Sequence, residues 1–218
     1  MVSPESLATY DILRQQMVNS QLRARGIADE RVLAAMTRVP RHDFAPEQFR
    51  DQAYEDHPLP IGEGQTISQP YIVAIMLEAL ALSPNDRVLE VGTGSGYVTA
   101  LLAEITSQVV SIERHASLAE SARTLLTSMD FRNVKVVEGD GTLGFPECAP
   151  YNAIIVSAAA PETPPSLLAQ LTEGGRMIIP VGGADSQQLR LIRIERGNPK
   201  VEFRELCRFV PLISGARD

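Results

Sequence analysis

The sequence predicts an α/β fold with a doubly wound, mostly parallel sheet, and three observations predict it. From residue 83 onward, short β-branched runs alternate with amphipathic helical stretches, the pattern of consecutive βαβ units. One run, Arg87-Val88-Leu89-Glu90-Val91, passes directly into a glycine-rich turn and then a helix. The last two runs, 189–195 and 201–210, alternate around Gly197-Asn198-Pro199 and read as an antiparallel hairpin at the end of the sheet. A chain of 218 residues fits one domain, spanning 1–218. Within it, residues 1–82 form a helical and loop extension and residues 83–218 the α/β core.

In chain order, residues 7–40 read as helical. Leu7, Ile12, Leu13, Met17 and Leu22 recur at roughly helical spacing, and Gly26 stands where a helix stops. Asp29 is placed to cap a second helix, 30–37, which ends near Pro40. Residues 41–68 lack periodicity and contain Pro46, Pro58, Pro60, Gly62 and Gly64, so a long loop is expected there, and loops of that length are usually functional or disordered. Ser68 reads as the N-cap of an apolar helix, with Pro70 at its second position and its end near Leu82. Strands follow at 87–91, 108–113, 134–138, 153–157 and 176–181. Helices are expected from the glycine turn to Glu104, over 116–129 and over 166–171.

Composition excludes several classes. The apolar fraction of 44% and charged fraction of 22% are those of a folded globular chain. With 20 basic against 27 acidic residues the net charge is -7, and no basic run offers a footprint for nucleic acid. Cys148 and Cys207 fit neither a metal-ligand spacing nor a disulfide framework, so no metal is expected and a reducing compartment suits the chain. The first residues lack the basic and apolar regions of a signal peptide. The most apolar stretch, 71–82, is about half a bilayer span and carries Glu78. A cytoplasmic monomer that uses no membrane is the expectation.

The strongest chemical signal is Glu90-Val91-Gly92-Thr93-Gly94-Ser95-Gly96-Tyr97. A strand, glycine turn and helix bring backbone N–H groups close to a ligand. A dinucleotide fingerprint requires glycine at position 97, where tyrosine stands. An acid-x-G-x-G-x-G pattern with Glu90 just inside the turn suits a ligand that is cationic or bears amino groups, and it resembles the first motif of S-adenosylmethionine-dependent methyltransferases. Glu113, ending the next strand, is placed to accept hydrogen bonds from ribose hydroxyls. Asp140, in Glu138-Gly139-Asp140-Gly141, is placed to meet an adenine amino group, with the two glycines letting the backbone pass close to the ring. In Gly62-Glu63-Gly64-Gln65-Thr66-Ile67-Ser68-Gln69-Pro70-Tyr71, the hydroxyls of Thr66 and Ser68 lie two residues apart on one side. His42, His57 and His115 read as ordinary surface or loop residues.

Together these segments resemble the protein-L-isoaspartate O-methyltransferase family. The likeness runs through Gln65–Tyr71, Leu89–Tyr97 and Gly139–Gly141, and through Pro150–Val156 and Phe209–Leu212. It also includes Arg23–Ile27 and Gln170–Gly175, so that it spans about residues 14–213. The resemblance implies a Rossmann-like methyltransferase sheet and S-adenosylmethionine as methyl donor, leaving S-adenosylhomocysteine. It further implies Ser68 as the catalytic residue, with Thr66, Ser68 and Val210 binding substrate. The cofactor contacts it implies are Thr66, Ser68, Gln69, Glu90, Gly92, Gly94, Ser95, Gly96, Glu113, Arg114, Asp140 and Gly141. The tail from Arg208 onward is expected to serve mainly the substrate peptide. One departure is Ser157, where the family often has threonine; a hydroxyl is retained.

The implied reaction methylates the α-carboxylate of L-isoaspartyl residues in damaged proteins and peptides, and the ester then closes spontaneously to a succinimide, which starts repair. Two other readings stay open on the residues alone: a methyltransferase of the same fold acting on a small molecule or peptide precursor, and a non-catalytic sensor of the nucleoside.

Overall fold

The computed structural model describes residues 4–215. Helix α1 (Pro4–Gln16) runs on as a π-helical turn (Met17–Leu22) and a short 3-10 turn (Arg23–Arg25), and Gly26 stops it with a left-handed φ of 98°. Asp29 caps α2 (Glu30–Arg38) as expected, its carboxylate accepting the Arg31 N–H at 2.9 Å.

Residues 41–68 are more ordered than their lack of periodicity predicts. Two 3-10 turns (Arg41–Phe44 and Glu47–Gln52) lead into a small antiparallel hairpin, β1 (Leu59–Gly62) and β2 (Gln65–Ile67). Its strands are too short, and too rich in proline and glycine, to register as period-two runs. The apolar helix α3 (Pro70–Leu80) begins with Pro70 at its first position, and Gln69 rather than Ser68 occupies the N-cap. No side chain of the cap residue closes this helix. Asp56 does so from across the loop, its Oδ1 accepting the Tyr71 N–H at 3.2 Å. The sequence assigns the cap to Ser68 because a cap supplied from twelve or more residues away leaves no local mark.

The main sheet contains β3 (Arg87–Val91), β4 (Gln108–Glu113), β5 (Val134–Glu138), β6 (Tyr151–Val156), β7 (Leu171–Gly182), β8 (Gln187–Glu195) and β9 (Asn198–Cys207), in the order β5-β4-β3-β6-β7-β8-β9. The first five are parallel, and β8 and β9 are antiparallel. The hairpin turn is Arg196-Gly197, both with positive φ, as two-residue hairpins require. Asn198 and Pro199 belong to β9, an edge strand, where a missing N–H is tolerated.

Helices α4 (Tyr97–Ile105) and α5 (Ala116–Ser128) follow β3 and β4. Together with α2 and α3 they bury one face of the sheet, against Val88, Val109, Ile155 and Ile178. The opposite face, with Leu89, Val91, Ile112, Ile154 and Met177, is covered more thinly, by the single-turn helix α6 (Pro165–Leu168), nearby loops and Leu212 of the tail. Strands buried on both faces explain why β3, β4 and β6 read as almost unbroken apolar runs. The order reverses between β3 and β6, the position at which sheets of this kind open a crevice at their carboxyl ends.

Candidate active site

Gly92, Gly94 and Gly96 all adopt positive φ (93°, 54° and 88°), so the turn after β3 needs residues without a Cβ. The Gly92 N–H is spent on the Ile112 carbonyl at 2.8 Å. Glu113, at the end of β4, binds the turn through Oε2, which accepts the Gly94 N–H at 2.9 Å, while Oε1 accepts the His115 N–H at 2.9 Å. A cavity of about 80 Å³ opens here, lined by Gly92, Gly94, Ser95, Glu113, Arg114 and Gly141 among others. Its floor tolerates no side chain at Gly141, where a Cβ would fall 2.4 Å from Val91 Cγ1. The β1–β2 hairpin roofs the glycine turn. Ile61 Cδ1 would lie 3.2 Å from a Cβ on Gly94, and Glu63 at the hairpin tip accepts the Ser117 hydroxyl at 2.9 Å and stands 3.4 Å from His115 Nδ1.

A second, larger cavity of about 530 Å³ adjoins the first, bordered by Gln69, Leu206, Phe209 and Arg208. The two cavities share Thr66, Ser68, Ser157, Val210 and Pro211 in their linings. The residues expected to handle substrate thus stand where the two spaces meet. With Asp56 capping α3, the Ser68 hydroxyl is not engaged at the helix end.

Four residues expected as cofactor contacts, Gln69, Glu90, Gly96 and Asp140, do not line the smaller cavity. Glu90 is 0% exposed, and its Oε2 accepts hydroxyls from Thr99 (2.5 Å) and Ser111 (2.6 Å). Side chains alternate along a strand, so Glu90 shares the face of Val88 and points under α4, away from the cavity. Gly96 serves packing: a Cβ there would press on Ala122 and Leu126 of α5 at 3.3 Å. Gln69 borders only the second cavity and donates through Nε2 to the Asp56 carbonyl and carboxylate at 3.0 and 2.8 Å. Asp140 borders a neighbouring cleft, its Oδ1 accepting the Thr142 N–H and hydroxyl and its Oδ2 the Gly215 N–H at 2.6 Å. Burial works against its charge, but these donors hold the Asp140 carboxyl below its ordinary value.

The histidines also differ from expectation. His57 is half-buried, and His42 is buried, stacked on Tyr10 at 4.1 Å and bonded to the Tyr54 hydroxyl at 2.7 Å. His115 is buried and lines the smaller cavity. The tail, too, does more than expected. Val210 O accepts the Ala159 N–H and the Leu212 N–H returns to Ala159 O, both at 2.7 Å, and Val210 to Ile213 all line the smaller cavity. Removing residues 208–218 is therefore expected to raise the KM for peptide strongly and also to weaken cofactor binding, by more than tenfold in calorimetry. A folded truncation with unchanged cofactor affinity would detach the tail from that cavity.

Burial pushes the Glu90 carboxyl up to about 8, against the two hydroxyl hydrogen bonds that favour its ionised form. Because the folded-state value is raised, the contribution to stability is complete below the ordinary 4.5 and is lost as the pH rises toward 8. Glu90→Gln, which resembles the protonated acid in shape, should remove about 1 kcal/mol or more of that pH dependence, or about 3 °C in Tm between pH 5 and pH 8. Melts of wild type and variant that decline in parallel over this range would contradict a buried neutral Glu90.

Among the described residues no cluster of histidine, cysteine or acid could hold a metal ion, both cysteines are free thiols, and no helix is long and apolar enough to cross a membrane.

Comparison with known proteins follows the same lines. The chain is 56% identical over 211 residues to "Protein-L-isoaspartate O-methyltransferase 2" of Pelobacter propionicus, covering 95% of this chain and 93% of that protein. It is 50% identical to the protein-L-isoaspartate O-methyltransferase of Koribacter versatilis, covering 98% and 96%. Among solved structures, a Plasmodium falciparum protein described as a putative protein-L-isoaspartate O-methyltransferase, in complex with S-adenosyl-L-homocysteine, superposes with a TM-score of 0.81. It is 27% identical and covers 92% of this chain and 98% of that one. Residues 13–217 match the family described as Protein-L-isoaspartate(D-aspartate) O-methyltransferase, and the chain belongs to that family.

Proposed function

We infer that this protein transfers a methyl group from S-adenosylmethionine to the α-carboxylate of L-isoaspartyl residues in damaged proteins and peptides, with Ser68 as its catalytic residue. The observation that carries this reading is the junction of the two cavities at Thr66 and Ser68. The residues of the smaller cavity suit the methyl donor: an acid at the end of β4, a glycine turn, and a floor at Gly141 that excludes side chains. When bound there, S-adenosylmethionine supplies an electrophilic methyl group. Glu113 is positioned for ribose hydroxyls, with Gly92, Gly94, Ser95 and Arg114 around it; as the smaller cavity stands, Gln69, Glu90, Gly96 and Asp140 support this wall from behind or beside it.

The nucleophile needs no base. An α-carboxyl has an ordinary pKa of about 3.3 to 3.7 and is ionised at neutral pH. The protein's task is to hold one carboxylate oxygen in line with the methyl group, about 3 to 3.5 Å away. The Thr66 and Ser68 hydroxyls orient it without a direct positive charge, which would bind the carboxylate at the expense of its nucleophilicity. The main-chain groups around Val210 that Ala159 and Gln187 do not engage are offered to an extended peptide, so that flanking side chains matter little. The methyl ester then cyclises to a succinimide with no further catalysis, the neighbouring backbone amide nitrogen attacking the ester carbonyl and methanol leaving. The protein acts as a cytoplasmic monomer and needs neither nucleic acid nor membrane.

The decisive experiment measures methyl ester formation on an L-isoaspartyl peptide beside the matching L-aspartyl peptide. Ester on the first alone supports the reading. Cofactor binding without ester formation would make the protein a nucleoside sensor, and methylation of small acids alone would reassign its substrate.

A further inference from the structure

Behind the Ser68 turn lies a cation that the mechanism above does not use. Arg41 is 0% exposed, and arginines are almost never fully enclosed unless paired with an acid. Its Nε donates to the Ala53 carbonyl at 2.8 Å and its Nη2 to the Ser68 carbonyl at 2.9 Å. The guanidinium carbon stands 4.9 Å from the ring centre of Tyr97, a residue of the cofactor-side wall. Among the described residues no carboxylate forms an ion pair with it, and Nη1 has no hydrogen-bond partner. Asp56, whose charge does act on it, is committed to Arg25, to Gln69 and to the Tyr71 N–H. Burial accordingly pulls its pKa below the ordinary arginine value.

Neutral donors would satisfy two carbonyls, so a fully buried charge at this point calls for a further reason. A planar guanidinium holds two acceptors in fixed relation, and charge-assisted bonds are stronger than neutral ones. One of those acceptors is the backbone of Ser68 itself. The remaining charge lies behind the place where the reading above puts the substrate carboxylate.

We propose that Arg41 is a positioning residue for methyl transfer, fixing the Ser68 hydroxyl through the Ser68 carbonyl while its unneutralised charge draws the isoaspartyl carboxylate without touching it. This rests on the assignment of Ser68 as the substrate-orienting group. The two parts of the role separate kinetically. Attraction of a carboxylate acts on substrate binding and appears in KM, whereas aim acts on the transition state and appears in kcat.

The test compares Arg41→Lys, which keeps the charge but not the planar fork, with Arg41→Gln, which keeps donors but not the charge. Both are assayed below the melting transition of the less stable variant, with S-adenosylmethionine affinity measured calorimetrically. Arg41→Lys should lower kcat roughly tenfold or more, with peptide KM within about threefold of wild type. Arg41→Gln should lower kcat similarly and raise peptide KM by roughly tenfold. Cofactor affinity should stay within about threefold in both. Wild-type kcat and KM in folded variants, with only Tm reduced, would overturn the proposal, as would parallel losses in cofactor binding. If only Arg41→Lys folds, its kcat decides. If neither folds, Arg41 belongs to the scaffold and the proposal fails. Ser68→Ala, measured alongside, keeps the underlying reading separate, because full activity there overturns the Ser68 assignment whatever Arg41 does.

Discussion

Replacing Ser68 by alanine should lower methyl transfer to an isoaspartyl peptide by about 10²- to 10³-fold, the usual consequence of deleting one donor that acts in the transition state. Affinity for S-adenosylmethionine should stay within a few-fold, because Ser68 is one of many residues around the smaller cavity and the glycine turn, Glu113, Gly141 and the tail remain in place. Stability should hardly change, since Asp56 and not Ser68 caps α3. That last expectation separates the catalytic role from a helix-cap role, for which about 1 kcal/mol of stability would be lost with activity kept. Steady-state kinetics with a thermal melt of the same preparation reads both. A folded and fully active Ser68→Ala would remove the serine from the mechanism.

The next largest effect is expected at Glu113. Each carboxylate oxygen already accepts one backbone N–H, from Gly94 and from His115. An ionised carboxylate has about four acceptor sites, so roughly two remain for ribose hydroxyls. Glu113→Ala should weaken S-adenosylmethionine binding by about 1.5 to 3 kcal/mol, the worth of hydrogen bonds to a charged group, or roughly 10- to 150-fold in Kd. Part of that loss comes from the ligand and part from a glycine turn that keeps its Gly92 bond to the Ile112 carbonyl but loses the Glu113 anchor on Gly94. Calorimetry reads the sum, and an unchanged Kd would mean that the ribose lies elsewhere.

Much of this was legible in the sequence where the signal is local. The five parallel strands, the glycine turn and the Asp29 cap all follow from residues within a few positions of one another. The C-terminal hairpin was visible as well, displaced by two residues because Arg196 accepts a positive φ that its identity does not advertise. What stayed hidden depends on distant partners. Glu90 looked like a ligand contact because of its distance from the glycines along the chain. Its register opposite Ser111, with Thr99 above it, decides that it faces inward. Asp140 is occupied by Gly215, 75 residues on, and Asp56 caps a helix from 15 residues before the N–H it accepts. Nothing near Arg41 marks it as enclosed, since the segment around it carries neither period.

The antiparallel end of the sheet has a consequence that is a matter of parity. β7 runs parallel to β6 and so finishes at the same end as the glycine turn. β8 carries the chain away from that end and β9 brings it back, with Cys207 beside Gln187 and Gln187 beside Gly182. Only an even number of reversals after β7 delivers residues 208–213 to Ala159 and to the mouth of both cavities. A sheet ending at β8, or extended by one more strand, would send the same tail out from the opposite pole. Strands can be added to or removed from this edge only in pairs if Val210 is to arrive beside Ala159.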